Sequence, residues 1–227
     1  MVIRSIIKWF RGFINSGGLP LLRSIRPPKP SGVREAIIAA GGRVNLVSQL
    51  KEIGLFEVAY TDFTELTFAD GTKKAYLIAI IGHNCKMAWG WALGEVDDTD
   101  LALEAWKMAK TTFRKYSISY EGMIIHHDQG SVFTSHSWTG QLLLRDNVRL
   151  SYALRGAGDN PEMESFFSRF KAEGNSLFLD AKNITELGDV VDSQMCYYNT
   201  KRRHSSLGYI SPLSYIERMR SGWKGAS

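Results

Sequence analysis

The chain has 227 residues, room for one good hydrophobic core with small attachments but short for two full domains. Its 44% hydrophobic and 22% charged residues describe a folding sequence, and its two cysteines, Cys85 and Cys196, exclude a disulfide-framed small fold and a multi-cysteine zinc module. The net charge of +5 is unevenly placed, because residues 1–34 hold seven basic and no acidic residues while the rest holds 21 basic against 23 acidic. Residues 1–14 have helical apolar spacing; Gly17, Gly18 and Pro20 break it, and Pro27, Pro28 and Pro30 make the next segment extended. Residues 1–54 therefore read as a basic arm and Pro/Gly-rich linker, with a short helix pair or loop broken at Gly41-Gly42 within 33–53. Apolar runs such as Leu77–Ile81 are too short to span a bilayer, and Lys8 and Arg11 interrupt the opening pattern before it could serve as an export signal. A reducing cytoplasm and no membrane partner are expected, an amphipathic N-terminal helix on a membrane surface being the alternative.

From residue 57 the pattern sharpens. Glu57–Thr67 alternates and is rich in aromatic and β-branched residues, Asp70-Gly71 is a turn, and the apolar run Ala75–Ile81 and then Met87–Leu93 follow. Three strands joined so shortly are antiparallel neighbours. Leu101, Ala105, Met108, Ala109 and Phe113 mark a helix capped by Asp98 or Thr99. A strand over Gly122–His126, a helix over 136–146 and a strand over Arg149–Ala153 come next. Asn160-Pro161 opens a helix, with Asn as cap, reaching about Glu173, and further helices are expected over 183–198 and 212–220. The order predicts an α/β fold with a mixed sheet of about five strands, the first three antiparallel, flanked by helices.

Three acids stand out by context. Asp62 interrupts the first strand, where a carboxylate is ordinarily excluded; Asp128 follows an apolar strand, where open sheets place chemistry; Glu164 lies in the first turns of the helix opened by Asn160. Taken singly, each has a plain explanation: a solvent-facing strand position, a turn with Gly130, and an acid favoured near a helix N-terminus. His126 and His127 are adjacent on a strand and point to opposite sides, so they do not chelate one metal together. His83, His136 and His204 form no ligand-like grouping with either cysteine.

The acids belong to longer patterns. Asp62 is followed by Thr64; Asp128 lies in His126-His127-Asp128-Gln129-Gly130-Ser131 with Phe133, Thr134 and Ser135 after it; Glu164 lies in a stretch with Asp159, Asn160, Ser165, Phe166, Phe167, Lys171 and Glu173. A fourth stretch carries Tyr198, Asn199, Arg202, His204, Ser205, Ser206, Leu207, Gly208, Tyr209 and Pro212. From about Phe56 to Pro212 the chain resembles the integrase-type catalytic core of bacterial insertion-sequence transposases, related to retroviral integrases and of ribonuclease H-like fold. The 35 residues between Asp128 and Glu164 match the spacing of that family's acid triad.

The resemblance implies a catalytic core over 55–200 and a basic C-terminal tail with a final helix over 201–227. It implies that Asp62, Asp128 and Glu164 are catalytic metal ligands, Asp62 bridging two Mg2+ ions (Mn2+ as substitute) and the other two each serving one. Such ions prefer oxygen ligands and suit phosphodiester transfer, for which no covalent protein nucleophile is needed. The expected partners are double-stranded DNA, as element ends and as target, and further copies of the chain assembled on that DNA. Lys171 shares the helix face of Glu164 and is a candidate DNA contact, as are Arg202, His204 and His127; a solvated lysine and a solvated basic cluster at 201–204 are the plain alternatives.

The chain departs from the family pattern at Gly82, Lys86 and Cys85, where an Asp, an Arg and a Ser are usual. Residues 1–54 show no convincing helix-turn-helix, so a truncated DNA-recognition region is the alternative reading there. The expected function is metal-dependent DNA cleavage and strand transfer in a prokaryotic cytoplasm, at the nucleoid when DNA is bound. The alternatives are an inactive DNA-binding remnant acting through mixed oligomers, and a simple metal-dependent nuclease.

Overall fold

The computed structural model describes residues 32–154 and 160–222. The expected helix over 1–14 and most of the basic arm lie outside the described residues. In chain order the elements are α1 (Gly32–Ala40), β1 (Val58–Phe68), β2 (Lys73–Gly82), β3 (Ala88–Gly94), α2 (Thr99–Lys115), β4 (Ile124–His127), α3 (His136–Thr139), β5 (Arg149–Tyr152), α4 (Pro161–Asp180), α5 (Ile184–Thr200) and α6 (Pro212–Arg220). The α3 turn runs on as a π-helical segment, Gly140–Arg145, within the span where one helix was expected.

The strand order is β3-β2-β1-β4-β5, with β1–β2 and β2–β3 antiparallel and β1–β4 and β4–β5 parallel. Short turns suffice for the antiparallel pairs, whereas the parallel ones need crossovers, which α2 and the α3 segment supply. This is the expected five-stranded mixed sheet flanked by helices. Both faces of the sheet are covered, which explains why β2 reads as almost wholly apolar. Its Ala75, Leu77, Ala79 and Ile81 face one core with Phe166, Phe170 and Val191 of α4 and α5, while Ile78 and Ile80 face the other with Trp106 and Phe113 of α2.

Particular residues set how closely these layers approach. A Cβ on Gly90 would lie 2.3 Å from the Ala105 carbonyl oxygen and 2.5 Å from the Ala109 nitrogen, so glycine permits β3 to meet the α2 backbone. At the outer strand β3, Asn199 of α5 donates to the Ala88 carbonyl and accepts from the Ala88 N–H, both at 2.9 Å. Asp98 caps α2, its carboxylate accepting from Leu101 N–H at 2.9 Å. Ile37 of α1 and Ile216 of α6 join the same core as α2.

The helix α4 runs seven residues past the expected end at Glu173, because Gly174 does not stop it. A Cβ on Gly174 would meet the Phe178 ring at 2.4 Å; the missing side chain leaves that place to an aromatic one turn later, which stacks on Phe170. The end of α4 is then held by the β1–β2 turn, where Ala69 N–H donates to Ala181 and Asp70 N–H to Leu179. Among the described residues no helix is long and apolar enough to cross a membrane.

Candidate active site

The parallel register between β1 and β4 explains where two of the three acids fall. Val58, Ala59 and Tyr60 pair with Ile124, Ile125 and His126. Continued for two residues, that register brings Asp62 level with Asp128, just past the end of β4, and period-2 alternation puts Asp62 on the same sheet face as Val58 and Tyr60. This is the face covered by α4, whose first turns carry Glu164.

Each aspartate has one oxygen held by a backbone amide. Phe63 N–H donates to Asp62 Oδ1 and Gly130 N–H to Asp128 Oδ1, both at 2.8 Å, which leaves both Oδ2 atoms available to a ligand. A Cβ on Gly130 would lie 3.0 Å from Asp128 Oδ1, a tight contact that would push the carboxylate aside. Glu164 is exposed. The start of its helix is tied to β1 by Asn160, whose Nδ2 donates to the Thr61 carbonyl at 3.3 Å. Asn160 is the cap residue as expected, with Pro161 opening the helix, but its side chain makes no capping bond: Nδ2 donates to β1, and Oδ1 does not accept from the first turn.

Burial pushes the Asp62 carboxyl up from 3.8 to about 6, against the pull of the Phe63 amide, and the negative charges of Asp128 and Glu164 push it further. The three acids thus share one electrostatic neighbourhood. Among the described residues, no three His, Cys, Asp or Glu side chains are gathered closely enough to hold an ion. The donor set nevertheless fits a hard divalent cation: its free atoms are carboxylate oxygens, and no Lys or Arg enters the causes of the Asp62 shift. Asn160 Oδ1, shut away from solvent beside Thr61, has no hydrogen-bond partner among the described residues.

His127 departs from the expectation that it faces DNA. It has no exposed surface; it stacks on Phe133 with ring centroids 4.5 Å apart and lies edge-on to Tyr152. Trp138 Nε1–H donates to His127 Nε2 at 3.3 Å, so the ring proton is on Nδ1, which donates to the Asp128 carbonyl at 2.9 Å. Burial holds the imidazole down at about 3, and the neutral ring supports the Asp128 backbone from the core side. His126 points the other way, to Ser151 Oγ at 2.8 Å and to the Tyr60 ring, as expected of a structural histidine.

The integrase core domain family matches this chain over residues 56–156 and again, with a second pattern of the same description, over 148–212. The transposase for insertion sequence element IS904 of Lactococcus lactis is 30% identical over 182 residues, which are 78% of this chain and 68% of that protein. This chain belongs to the integrase-core family of insertion-sequence transposases. The putative transposase InsK for insertion sequence element IS150 of Escherichia coli is 29% identical over 68% of the chain, which spans about half (52%) of that relative's length. Among solved structures, the HTLV-2 integrase catalytic core domain in complex with magnesium, in its trimeric form, superposes with a TM-score of 0.55 at 12% identity, covering 71% of this chain and 97% of that one. A simian T-cell lymphotropic virus intasome in complex with PP2A regulatory subunit B56 gamma gives 0.57 at 8% identity, over 78% of this chain and 60% of that one. At such identities the structures show a shared fold, the ribonuclease H-like fold of integrase cores.

Around the integrase core's acids, the other expected DNA contacts fall unequally. Lys171 is half-buried and makes no ion pair among the described residues. Arg202 is committed to Glu173, its Nη2 2.7 Å from Oε1 and its Nε 2.9 Å from the same oxygen, and it lies over the Tyr198 ring. His204 is 6% exposed, edge-on to Tyr198, and held down at about 4 by burial and then by Arg202, Arg169 and Lys86. Both hold the tail against α4 and α5, so the expectation of an open basic surface at 201–204 is corrected for these two. Sequence reasoning passed over Arg169, two residues before Lys171 on α4, and Trp138, whose partner lies eleven residues away on another element.

Proposed function

We propose that this chain carries out metal-dependent cleavage and strand transfer of DNA phosphodiesters during transposition, with Asp62, Asp128 and Glu164 as the ligands of divalent ions of the magnesium class, Mn2+ substituting. The observation that carries this reading is that three carboxylates distant in sequence act on one another, the Asp128 and Glu164 charges adding to burial in raising the Asp62 carboxyl, while Asp62 and Asp128 each keep one oxygen free of backbone bonds. When bound, the ions supply Lewis-acid activation of the attacking oxygen and neutralise charge building on the phosphate. The chain's own residues supply placement. The Phe63 and Gly130 amides fix the rotamers of two carboxylates, Asn160 sets α4 against β1, and His127 holds the Asp128 carbonyl. Lys171, on the Glu164 face, is positioned to meet a DNA phosphate.

In this reading residues 55–200 are the catalytic core, the basic arm over 1–54 adds sequence-independent attraction to DNA, and 201–227 are a basic tail of which Arg202 and His204 brace the core. Copies assemble on double-stranded element ends and on target DNA, in a prokaryotic cytoplasm. The magnesium named with the HTLV-2 core and the trimeric form of that structure lend support by likeness.

The test is a strand-transfer assay on pre-cleaved terminal DNA of the host element, comparing the parent with Asp128→Asn in Mg2+ and in chelator. Joined product from the parent in Mg2+ alone supports the reading. Nicks without joining point to a simple nuclease. No product in any arm, with DNA still bound, points to a binding remnant.

A further inference from the structure

A cavity of about 300 Å³ opens between the β2–β3 turn, the first turns of α4 and the segment 204–206. Its wall includes Lys86, Ser165, Arg169, His204, Ser205 and Ser206. Arg169 follows Glu164 by five residues, about 140° around the helix, so this cavity is a separate face of α4 and does not extend the carboxylate cluster.

Its charges do not cancel. Lys86 Nζ pairs with Glu162 Oε2 at 2.7 Å, matching one cation with one anion inside the cavity. Arg169 is exposed and forms no ion pair among the described residues, so its charge is left over. Its field reaches the cavity wall, because Arg169 is among the cations that oppose protonation of the buried His204. The ring is therefore neutral at physiological pH. Ser165, Ser205 and Ser206 are exposed on the same wall and their hydroxyls form no hydrogen bond among the described residues, so three solvent-facing hydroxyls able to turn towards a ligand stand beside the guanidinium. Surplus donors, a surplus positive charge and room for a small ligand match a tetrahedral oxyanion, which a guanidinium binds through two parallel N–H bonds.

We infer that this cavity seats a phosphate group, held by Arg169 and the serine hydroxyls, and that in the transposase core the phosphate is a backbone phosphodiester of bound DNA. The identity of the source rests on the function proposed above; the phosphate chemistry does not. The seat lies away from the carboxylates, so it positions DNA without touching the reacting phosphodiester.

Two arms test this on the full chain, both in chelator so that the carboxylates are not engaged by metal. In the first, binding of a labelled duplex is followed across a salt series. Arg169→Glu is expected to weaken binding about tenfold or more and to lower the slope of log affinity against log salt by about 1, with Arg169→Lys, which keeps the charge but not the paired N–H bonds, restoring the slope and only part of the affinity. Glu162→Gln, which frees Lys86, is expected to tighten binding. In the second, inorganic phosphate is titrated while the Ser205 and Ser206 amide resonances are observed, with shifts expected in the parent and lost in Arg169→Glu; unchanged circular dichroism confirms that the variant is folded. Phosphate shifts with duplex binding unaffected by Arg169→Glu would keep the oxyanion seat and overturn its use by DNA. Absence of shifts together with unaffected duplex binding would overturn the seat, while duplex binding by the parent would leave the DNA reading standing. A parent that binds no duplex would overturn the DNA reading, and the phosphate titration alone would then decide the seat.

Discussion

Asn160 Nδ2 donates to the Thr61 carbonyl at 3.3 Å, which joins the start of the helix bearing Glu164 to the strand bearing Asp62, one residue before that carboxylate. The bond is buried and crosses 99 residues of sequence. A ligand set divided between a strand and a helix keeps its spacing only if the two elements are fixed to each other. Asn160→Ala is expected to cost about 1 kcal/mol of stability, the ordinary worth of one such bond. Its larger effect is expected on activity, a fall of about tenfold or more with a higher Mn2+ concentration needed for half-maximal rate. Denaturant melts alongside a metal titration of DNA cleavage check both; a purely structural role would lower stability without moving the metal requirement.

Asp62 should impose a pH dependence of definite sign when metal is absent. Its carboxyl is raised from 3.8 to about 6 in the folded protein, so the folded state holds this proton more tightly than the unfolded state does. The resulting stabilisation is complete below about pH 4 and is lost as pH rises through about 6. Asp62→Asn removes the burden of the buried charge, and in chelator it should be more stable than the parent above about pH 6, by about 1–3 kcal/mol. The advantage should vanish below about pH 4. Urea unfolding of both proteins across this range is the measurement.

His127 acts in the opposite direction. Burial lowers its imidazole from 6.5 to about 3, so the unfolded state takes up the proton more readily and stability is lost as pH falls from about 6.5 towards 3. His127→Gln, neutral throughout, should show a shallower decline over that interval. It should also lower activity, because the group supporting the Asp128 carbonyl is altered. Trp138→Phe, which removes the donor to His127 Nε2, should leave the Nδ1–H bond to the Asp128 carbonyl as the remaining tautomer constraint and lower activity less.

Two glycines give a contrast in packing. Gly90→Ala places a methyl 2.3 Å from the Ala105 carbonyl oxygen, so β3 and α2 must separate, at a cost of about 1–3 kcal/mol or more. Gly188 lies within α5 with nothing within 4 Å of an added Cβ, so Gly188→Ala should stabilise by about 0.5–1 kcal/mol. Thermal melts of the two variants should move in opposite directions.

The sheet was legible because its strands carry strong local signals. The apolar run of β2, the Asp70-Gly71 turn and the Asp98 cap each act within a few residues, and the structure keeps them all. What escaped the sequence depends on partners far along the chain. The helix expected to reach about Glu173 runs on through Gly174, where Phe178 occupies the place of the missing side chain. Asn160 is the cap residue the sequence indicates, but its bond to Thr61 is visible only in the fold, and Arg202 reads as a solvated cation until Glu173, 29 residues away, is found to hold it. His127 sits in a basic-looking, polar motif, yet period-2 alternation alone sends it into the core opposite His126. Asp62 and Asp128 were noticed because carboxylates are out of place on or beside apolar strands, and Glu164 by the motif of its helix; their mutual charge became visible only in the fold.

The central claim is that Asp62, Asp128 and Glu164 together form a divalent-metal site, and its most direct test is Mn2+ binding, read by electron paramagnetic resonance, to the duplex-bound full chain at about pH 7.5, above the value of about 6 to which burial raises Asp62. The parent should bind Mn2+, and Asp62→Asn, Asp128→Asn and Glu164→Gln should each weaken binding by about tenfold or more. Equal binding by the parent and all three variants, or no binding by the parent, would contradict the account.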